Sequence, residues 1–220
     1  TFYKLIDIIY ANGSSIEADG KIGKGQDFDD AADDAIDCGA DASLNITTAL
    51  TLSAWVKSGD LAQNTYFLAK DDGGGINRAF AIKFDSPKSR FLIWDSGSVL
   101  HSIYADNDAI ADWTRVVGTY DGTTQKLYIN GVLQAVTNAF VNTICAAPDN
   151  HFRIGKNDAG SNFDGLIDEV RLSSVARSAA WITYEYANTN PADGGLTWGE
   201  EEHPSTPAGG GKPMNLKMKL

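Results

Sequence analysis

Seven aspartates crowd between positions 27 and 41: Asp27, Asp29, Asp30, Asp33, Asp34, Asp37 and Asp41. Carboxylates this close repel one another unless water or a cation screens them. The run is therefore either a solvated acidic loop or a cation site. Nucleophilic chemistry has no such concentration. G-x-S-x-G and phosphate-loop patterns are absent, and His101, His151 and His203 have no recognisable Ser or Cys partner. Cys38 and Cys145 are the only cysteines and lack a CxxC or a histidine pair, which excludes zinc and thioredoxin-type chemistry. They leave two options open, one disulfide or two buried thiols.

The elements that must position these residues read as strands. Leu50, Leu52, Ala54 and Val56 alternate with Thr51, Ser53, Trp55 and Lys57, a period of two that a helix would scatter around its axis. Trp113–Tyr120 and Gln125–Ile129 flank Asp121-Gly122-Thr123-Thr124, a hairpin, and Asn130-Gly131 reverses the chain again before Val132–Val136. Further strands are expected at Thr65–Lys70, Ala79–Phe84, Phe91–Asp95, Val99–Tyr104, Phe152–Lys156 and Gly165–Ser173. One helix is predicted over Ala179–Asn188, capped by Ser178, with Trp181, Tyr184 and Ala187 at helical spacing and Pro191 ending it. Many short strands and one short C-terminal helix predict an all-β, antiparallel two-sheet β-sandwich.

Composition agrees. The 220 residues are 43% hydrophobic with 22 glycines, enough apolar side chain for a large core and many tight turns. A formal charge of −11 repels phosphate backbones, so nucleic acid is not an expected partner. No apolar run of about 18 residues occurs, so no membrane span is expected, and Thr1–Tyr10 lacks the pattern of a secretory leader. Residues 1–202 read as the sandwich, with a brief opening strand at Thr1–Ile9 and a closing one at Leu196–Trp198. Residues 203–211 (HPSTPAGGG) are a Pro/Gly linker. In the tail, 212–220, Met214, Leu216, Met218 and Leu220 alternate with Asn215, Lys217 and Lys219. That tail is either a disordered end or a basic, amphipathic strand that docks on the sheet edge of another subunit.

Three stretches resemble the laminin-G-like, concanavalin-A-like jelly-roll domains of surface proteins: Gly20–Lys57, WTRVVGTYDGTTQKLYINGV over Trp113–Val132, and FRIGKNDAGSNFDGLIDEVRLSSVARSAAWITYEYA over Phe152–Ala187. They occur in the family's order and span roughly residues 5–190. The resemblance implies a structural calcium at Asp29, Asp30 and Asp168, the last inward-facing beside Leu166 and Val170. The competing role for Asp168 is a carboxylate bonded to backbone N–H groups. It also implies a sugar site built from aromatics and hydroxyl-binding side chains, with Trp94, Tyr104, Asn77 and Arg78 as principal candidates and Trp55, Tyr66 and Asp95 behind them. Most rings in a sandwich are core, so each competes with that role. Glucanases of this fold carry E-x-D-x-x-E, which is missing: Glu200, Glu201 and Glu202 are contiguous, and Asp168 and Glu169 alternate. No enzymatic activity is expected. The expected function is a structural or decorating subunit of a larger assembly, docked through the tail. The alternative is a calcium-stabilised carbohydrate-binding adhesion module. Both place the chain outside the cell, on a cell surface or on a virion.

Overall fold

The computed structural model describes residues 9–10, 16–62, 64–75, 77–107 and 111–190, with only the backbone of 9, 10 and 16. In chain order the first strands are β1 (Ile9–Tyr10), β2 (Ile16–Asp19), β3 (Lys24–Phe28), β4 (Ile36–Asp37), β5 (Leu50–Ser58), β6 (Tyr66–Asp71), β7 (Arg78–Asp85) and β8 (Lys88–Trp94). There follow β9 (Leu100–Tyr104), β10 (Thr114–Tyr120), β11 (Thr124–Ile129), β12 (Val132–Leu133), β13 (Asn138–Ala139), β14 (Arg153–Ile154) and β15 (Gly165–Ser173), then helix α1 (Ala179–Thr189). They form two antiparallel sheets, β1-β4-β14-β6-β7-β8-β9 and β12-β11-β10-β5-β15-β3-β2, with β13 beside β11. This is the expected two-sheet sandwich.

Alternation decides which side chains enter it. Leu50, Leu52, Ala54 and Val56 of β5 all lie in the core, and Phe80, Ile82, Phe84, Phe91 and Ile93 face them from the other sheet. The sheets approach so closely at β10 that a Cβ on Gly118 would lie 2.6 Å from the Phe91 ring. Both expected hairpins form. Asp121 accepts the N–H groups of Thr123 and Thr124 at 2.9 and 2.8 Å, and Asn130 and Gly131 take the positive φ of 51° and 77° that a tight reversal needs.

Two strands are shorter than their sequences predict. β14 stops at Ile154 because Gly155 turns to φ 92°. β12 stops at Leu133: Gln134 still donates its N–H to the Leu127 carbonyl at 2.9 Å, and Ala135 then donates to the Asp106 carboxylate instead of continuing the ladder. Four strands the sequence did not suggest, β2, β3, β4 and β13, are polar or two residues long, and their pairing partners hold them in the sheets.

Helix α1 forms behind Ser178, whose hydroxyl accepts the Trp181 N–H at 3.2 Å. Its buried face is Ile182, Glu185 and Thr189, whereas Tyr184 is 57% exposed. The spacing of Trp181, Tyr184 and Ala187 therefore does not mark the docking face. A buried cation does: Arg115 of β10 donates to Glu185 at 2.5 Å, to Ser53 at 2.9 Å and to the Glu169 carbonyl at 2.9 Å. Arg171 adds a second ion pair to Glu185 at 2.9 Å, and the Trp55 indole donates to Thr189 at 3.1 Å. The outer face of the eight-stranded sheet is thus roofed by α1. The expected closing strand at Leu196–Trp198, the linker and the tail with Met214, Leu216, Met218 and Leu220 lie outside the described residues.

Candidate functional site

The outer face of the seven-stranded sheet is organised differently. Register aligns Tyr66, Lys83, Arg90 and Tyr104 in one row across β6, β7, β8 and β9. At a strand spacing of about 4.8 Å the row runs about 14 Å. The next row is Ala69, Ala81, Leu92 and Ser102, and beyond it Asp71 pairs with Arg78 near Trp94. The alanines keep the middle row low between two rows of long polar and aromatic side chains.

Each ring on this face carries a cation. Arg78 lies 3.9 Å from the Trp94 centroid, Lys83 4.8 Å from Tyr66, and Arg90 4.7 Å from Tyr104. Both arginines are anchored by acids. Arg78 holds Asp71 in a two-pronged contact at 2.6 and 3.0 Å, and Arg90 holds Asp85 at 2.8 Å while donating to Ser102 at 2.8 Å. The Tyr104 hydroxyl also donates to Asp85 at 2.8 Å. Burial pushes the Asp85 carboxyl up, but the hydrogen bonds from Tyr104 and Arg90 outweigh it and leave it below its ordinary value. Burial, aided by Asp71, pushes the Tyr66 hydroxyl up to about 12, so it stays a neutral donor. Together these groups make a rigid surface of preset donors and acceptors with an aromatic component, suited to a polyhydroxylated ligand.

Four of the sequence candidates meet here: Trp94, Tyr104, Tyr66 and Arg78. Trp94 is only 4% exposed and roofed by Arg78, whereas Tyr104 is 40% exposed and is the open ring. Asn77 is exposed just before β7, and its carbonyl accepts from Asn150 at 2.6 Å. Asp95 follows Trp94 but is taken up by His101 at 3.0 Å and by the N–H groups of Gly97 and Val99, both at 2.9 Å. Trp55 lies on the other sheet, stacked on Tyr186 under α1, and does not belong to the face. The sequence reading missed Lys83, Arg90, Asp71 and Asp85. Their only signal was alternation with core residues such as Ile82 and Phe91; which charges meet was set by register.

The expected calcium set does not assemble. Asp168 pairs opposite Trp55, so it lies on the α1 side of its sheet and not in the interior. The cause is a bulge after Asp168, with Glu169 at φ 49°, which shifts the alternation and turns Val170 and Leu172 to the core instead. Asp168 accepts the N–H groups of Ile22 at 2.9 Å and Glu169 at 2.6 Å, the backbone-bonded role. Asp29 lies just past the end of β3, four residues beyond Gly25, which neighbours Asp168, about 13 Å away by strand rise. Asp29 itself bonds the Ala31 N–H at 2.9 Å, and the Asp30 carbonyl accepts from Asn162 at 3.2 Å. The rest of the acidic run serves local structure: Asp34 accepts the Asp29 N–H, Asp33 pairs with Lys156, Asp37 with His151 and Arg153, and Asp41 caps a helical turn at Ala42–Leu44. Among the described residues no three His, Cys, Asp or Glu are grouped as metal ligands, and Asp168 does not join Asp29 and Asp30 in the implied calcium set. Acidic crowding persists at one corner. Burial raises Asp164, and Asp30, Asp29, Asp27 and Asp60 raise it further.

A groove of about 670 Å³ opens on the other sheet along the second half of β15, between interior residues such as Phe28, Leu44 and Ile154 and a mouth at Arg177 and Trp181. It exists because β3 pairs with β15 only as far as Ile167, which uncovers core side chains beyond it. Cys38 and Cys145 are free thiols, both buried.

A family model described as the concanavalin A-like lectin/glucanases superfamily matches residues 30–183. No curated protein matches the sequence. Among solved structures, the binding domain of Paraclostridial Mosquitocidal Protein 1 superposes with a TM-score of 0.67 at 14% identity, over 83% of this chain and 47% of that one. The botulinum neurotoxin serotype G binding domain gives 0.62 at 17%, over 83% and 46%. The chain thus spans about half the length of these toxin domains. Domain 4 of AbnA, an extracellular arabinanase of Geobacillus stearothermophilus solved with arabinotriose, gives 0.61 at 23%, over 80% and 82%. At these identities the likeness is one of fold.

Proposed function

The chain belongs to the concanavalin A-like lectin/glucanase superfamily, and from that premise we propose that it is an extracellular, non-catalytic carbohydrate-binding module whose binding surface is the outer face of the seven-stranded sheet. The observation that carries this is the row Tyr66–Lys83–Arg90–Tyr104 beside Arg78 and Asp71, in which rings and bonded charges are fixed before any ligand arrives. Such preorganisation lowers the entropy that binding costs. The arabinanase domain with its bound arabinotriose makes an oligosaccharide of similar size a reasonable first probe. The acids on the face are poorly placed for hydrolysis. Asp85 is held ionised and bonded to arginine, so it is not a poised proton donor, and Asp71 has both oxygens on Arg78.

The assembly-subunit alternative rests on residues 212–220, outside the described residues, and no described feature favours it over the sugar-binding role. A glycan array followed by calorimetry on the hits tests the proposal. Binding that is lost in Tyr104→Ala and Arg90→Ala supports it. An array with no hits sinks it.

A further inference from the structure

Among the described cations of the face, Lys83 stands outside the arginine–aspartate pairs and, unlike Lys88, whose ammonium donates to the Asp106 carbonyl at 2.9 Å, it has no bonded oxygen. Its residue is 9% exposed, yet its ammonium makes no hydrogen bond or ion pair among the described residues and touches only the Tyr66 ring. Nor is the ammonium among the sealed polar atoms without partners, so it keeps a path to solvent. The charged groups around it are Asp85, Arg90, Asp71 and Arg78. Arg78 engages Asp71 at 2.6 and 3.0 Å and Arg90 engages Asp85 at 2.8 Å, and these hydrogen bonds fix the positions of all four. The side chain is therefore largely buried, while its ammonium reaches solvent and no protein oxygen receives its three N–H groups. A partly desolvated cation in that state gains from any ligand oxygen that reaches it. Burial also pulls Lys83 below the ordinary lysine range, the expected consequence of desolvation without a bonded partner.

Resting on the carbohydrate reading above, we infer that Lys83 receives the carboxylate of an acidic sugar, so that the module selects uronic-acid-containing glycans over their neutral counterparts. The neighbouring groups fit that ligand. Tyr104 ends the row as an exposed ring, and Ser102 and Asp85 beside it offer hydroxyl partners. A neutral sugar would leave the ammonium unpaired. A carboxylate pairs it with a charge-assisted bond, stronger than a neutral one.

The test compares matched oligosaccharides, oligogalacturonate and its fully methyl-esterified form, titrated into the wild-type chain, Lys83→Met and Lys83→Arg. The inference predicts that the acid form binds at least about tenfold more tightly than the ester. Lys83→Met removes that preference and Lys83→Arg retains most of it, while raised salt weakens only the acid form. Melting curves of each variant confirm folding, and Lys83→Met should melt no lower than wild type because it removes a desolvated charge. Equal binding of acid and ester, or a preference that survives in Lys83→Met, overturns the inference and leaves the carbohydrate reading standing. Failure of either form to bind, together with an empty array of neutral and acidic glycans, overturns both.

Discussion

The two outer faces of the sandwich carry the same kinds of residues and use them oppositely. On the eight-stranded sheet, Arg115, Glu185, Arg171 and Trp55 are closed under α1, and every charge points at another part of the chain. On the seven-stranded sheet, Arg78, Arg90, Tyr66 and Tyr104 stand in register with no described helix above them. A buried arginine–glutamate pair under a helix fixes where that helix docks. An arginine–aspartate pair on a sheet with no described helix above it fixes the position of the arginine itself. The difference lies in what covers the face; composition is much the same.

The comparison can be broken at several points. The largest effect is expected from Arg115→Ala. It leaves Glu185 buried with only Arg171 to offset it, at a cost of about 3 kcal/mol, or roughly 10 °C in melting midpoint. Calorimetry should find sugar binding by the folded fraction unchanged, and a parallel loss of affinity would mean that the two faces are coupled. Next is Tyr104→Ala, expected to weaken glycan binding about tenfold while the midpoint moves by less than about 2 °C, since the ring is 40% exposed. A large drop in midpoint would make Tyr104 structural instead.

Acidity should act on the open face late. The folded value of Asp85 lies below its ordinary 3.8, so the stability it lends is present above 3.8 and lost as pH falls through the lowered value. Asp95 behaves likewise: burial raises it, but bonds from His101, Val99, Gly97 and Asn142 lower it further. Affinity should stay flat from about pH 7 to about pH 5 and fall only below about pH 4; a midpoint near pH 6 in a binding titration would point to histidine control. The smallest effect belongs to the acidic corner. Asp164 is raised, so its contribution is present below 3.8 and lost as pH rises past its folded value. Asp164→Asn should therefore lift the midpoint at neutral pH by about 1 °C and do nothing in acid. Chelator should leave the wild-type midpoint unmoved. A midpoint that climbs with added calcium would restore a cation site at Asp29 and Asp30, though without Asp168.

Much of this molecule was legible beforehand because period-two alternation survives without any knowledge of partners. The run from Leu50 to Val56, the hairpins at Asp121-Gly122 and Asn130-Gly131, strand β15 and the Ser178 cap were all written locally. β3 and β4 were not, because a polar or two-residue strand is held by its neighbours and not by its own side chains. The candidate site was half legible as a grouping of residues. Trp94, Tyr104, Tyr66 and Arg78 were picked by type, yet type also picked Trp55, which a helix covers.

The sequence by itself determined the sandwich, its turns and its helix, since these follow from side-chain period and backbone freedom over a few residues. Only the tertiary structure decided the chemistry. A bulge at Glu169 took Asp168 out of the interior, and strand register set Lys83 between two closed arginine–aspartate pairs. Both depend on how distant strands align, and a one-residue slip would move every one of those side chains to the other face.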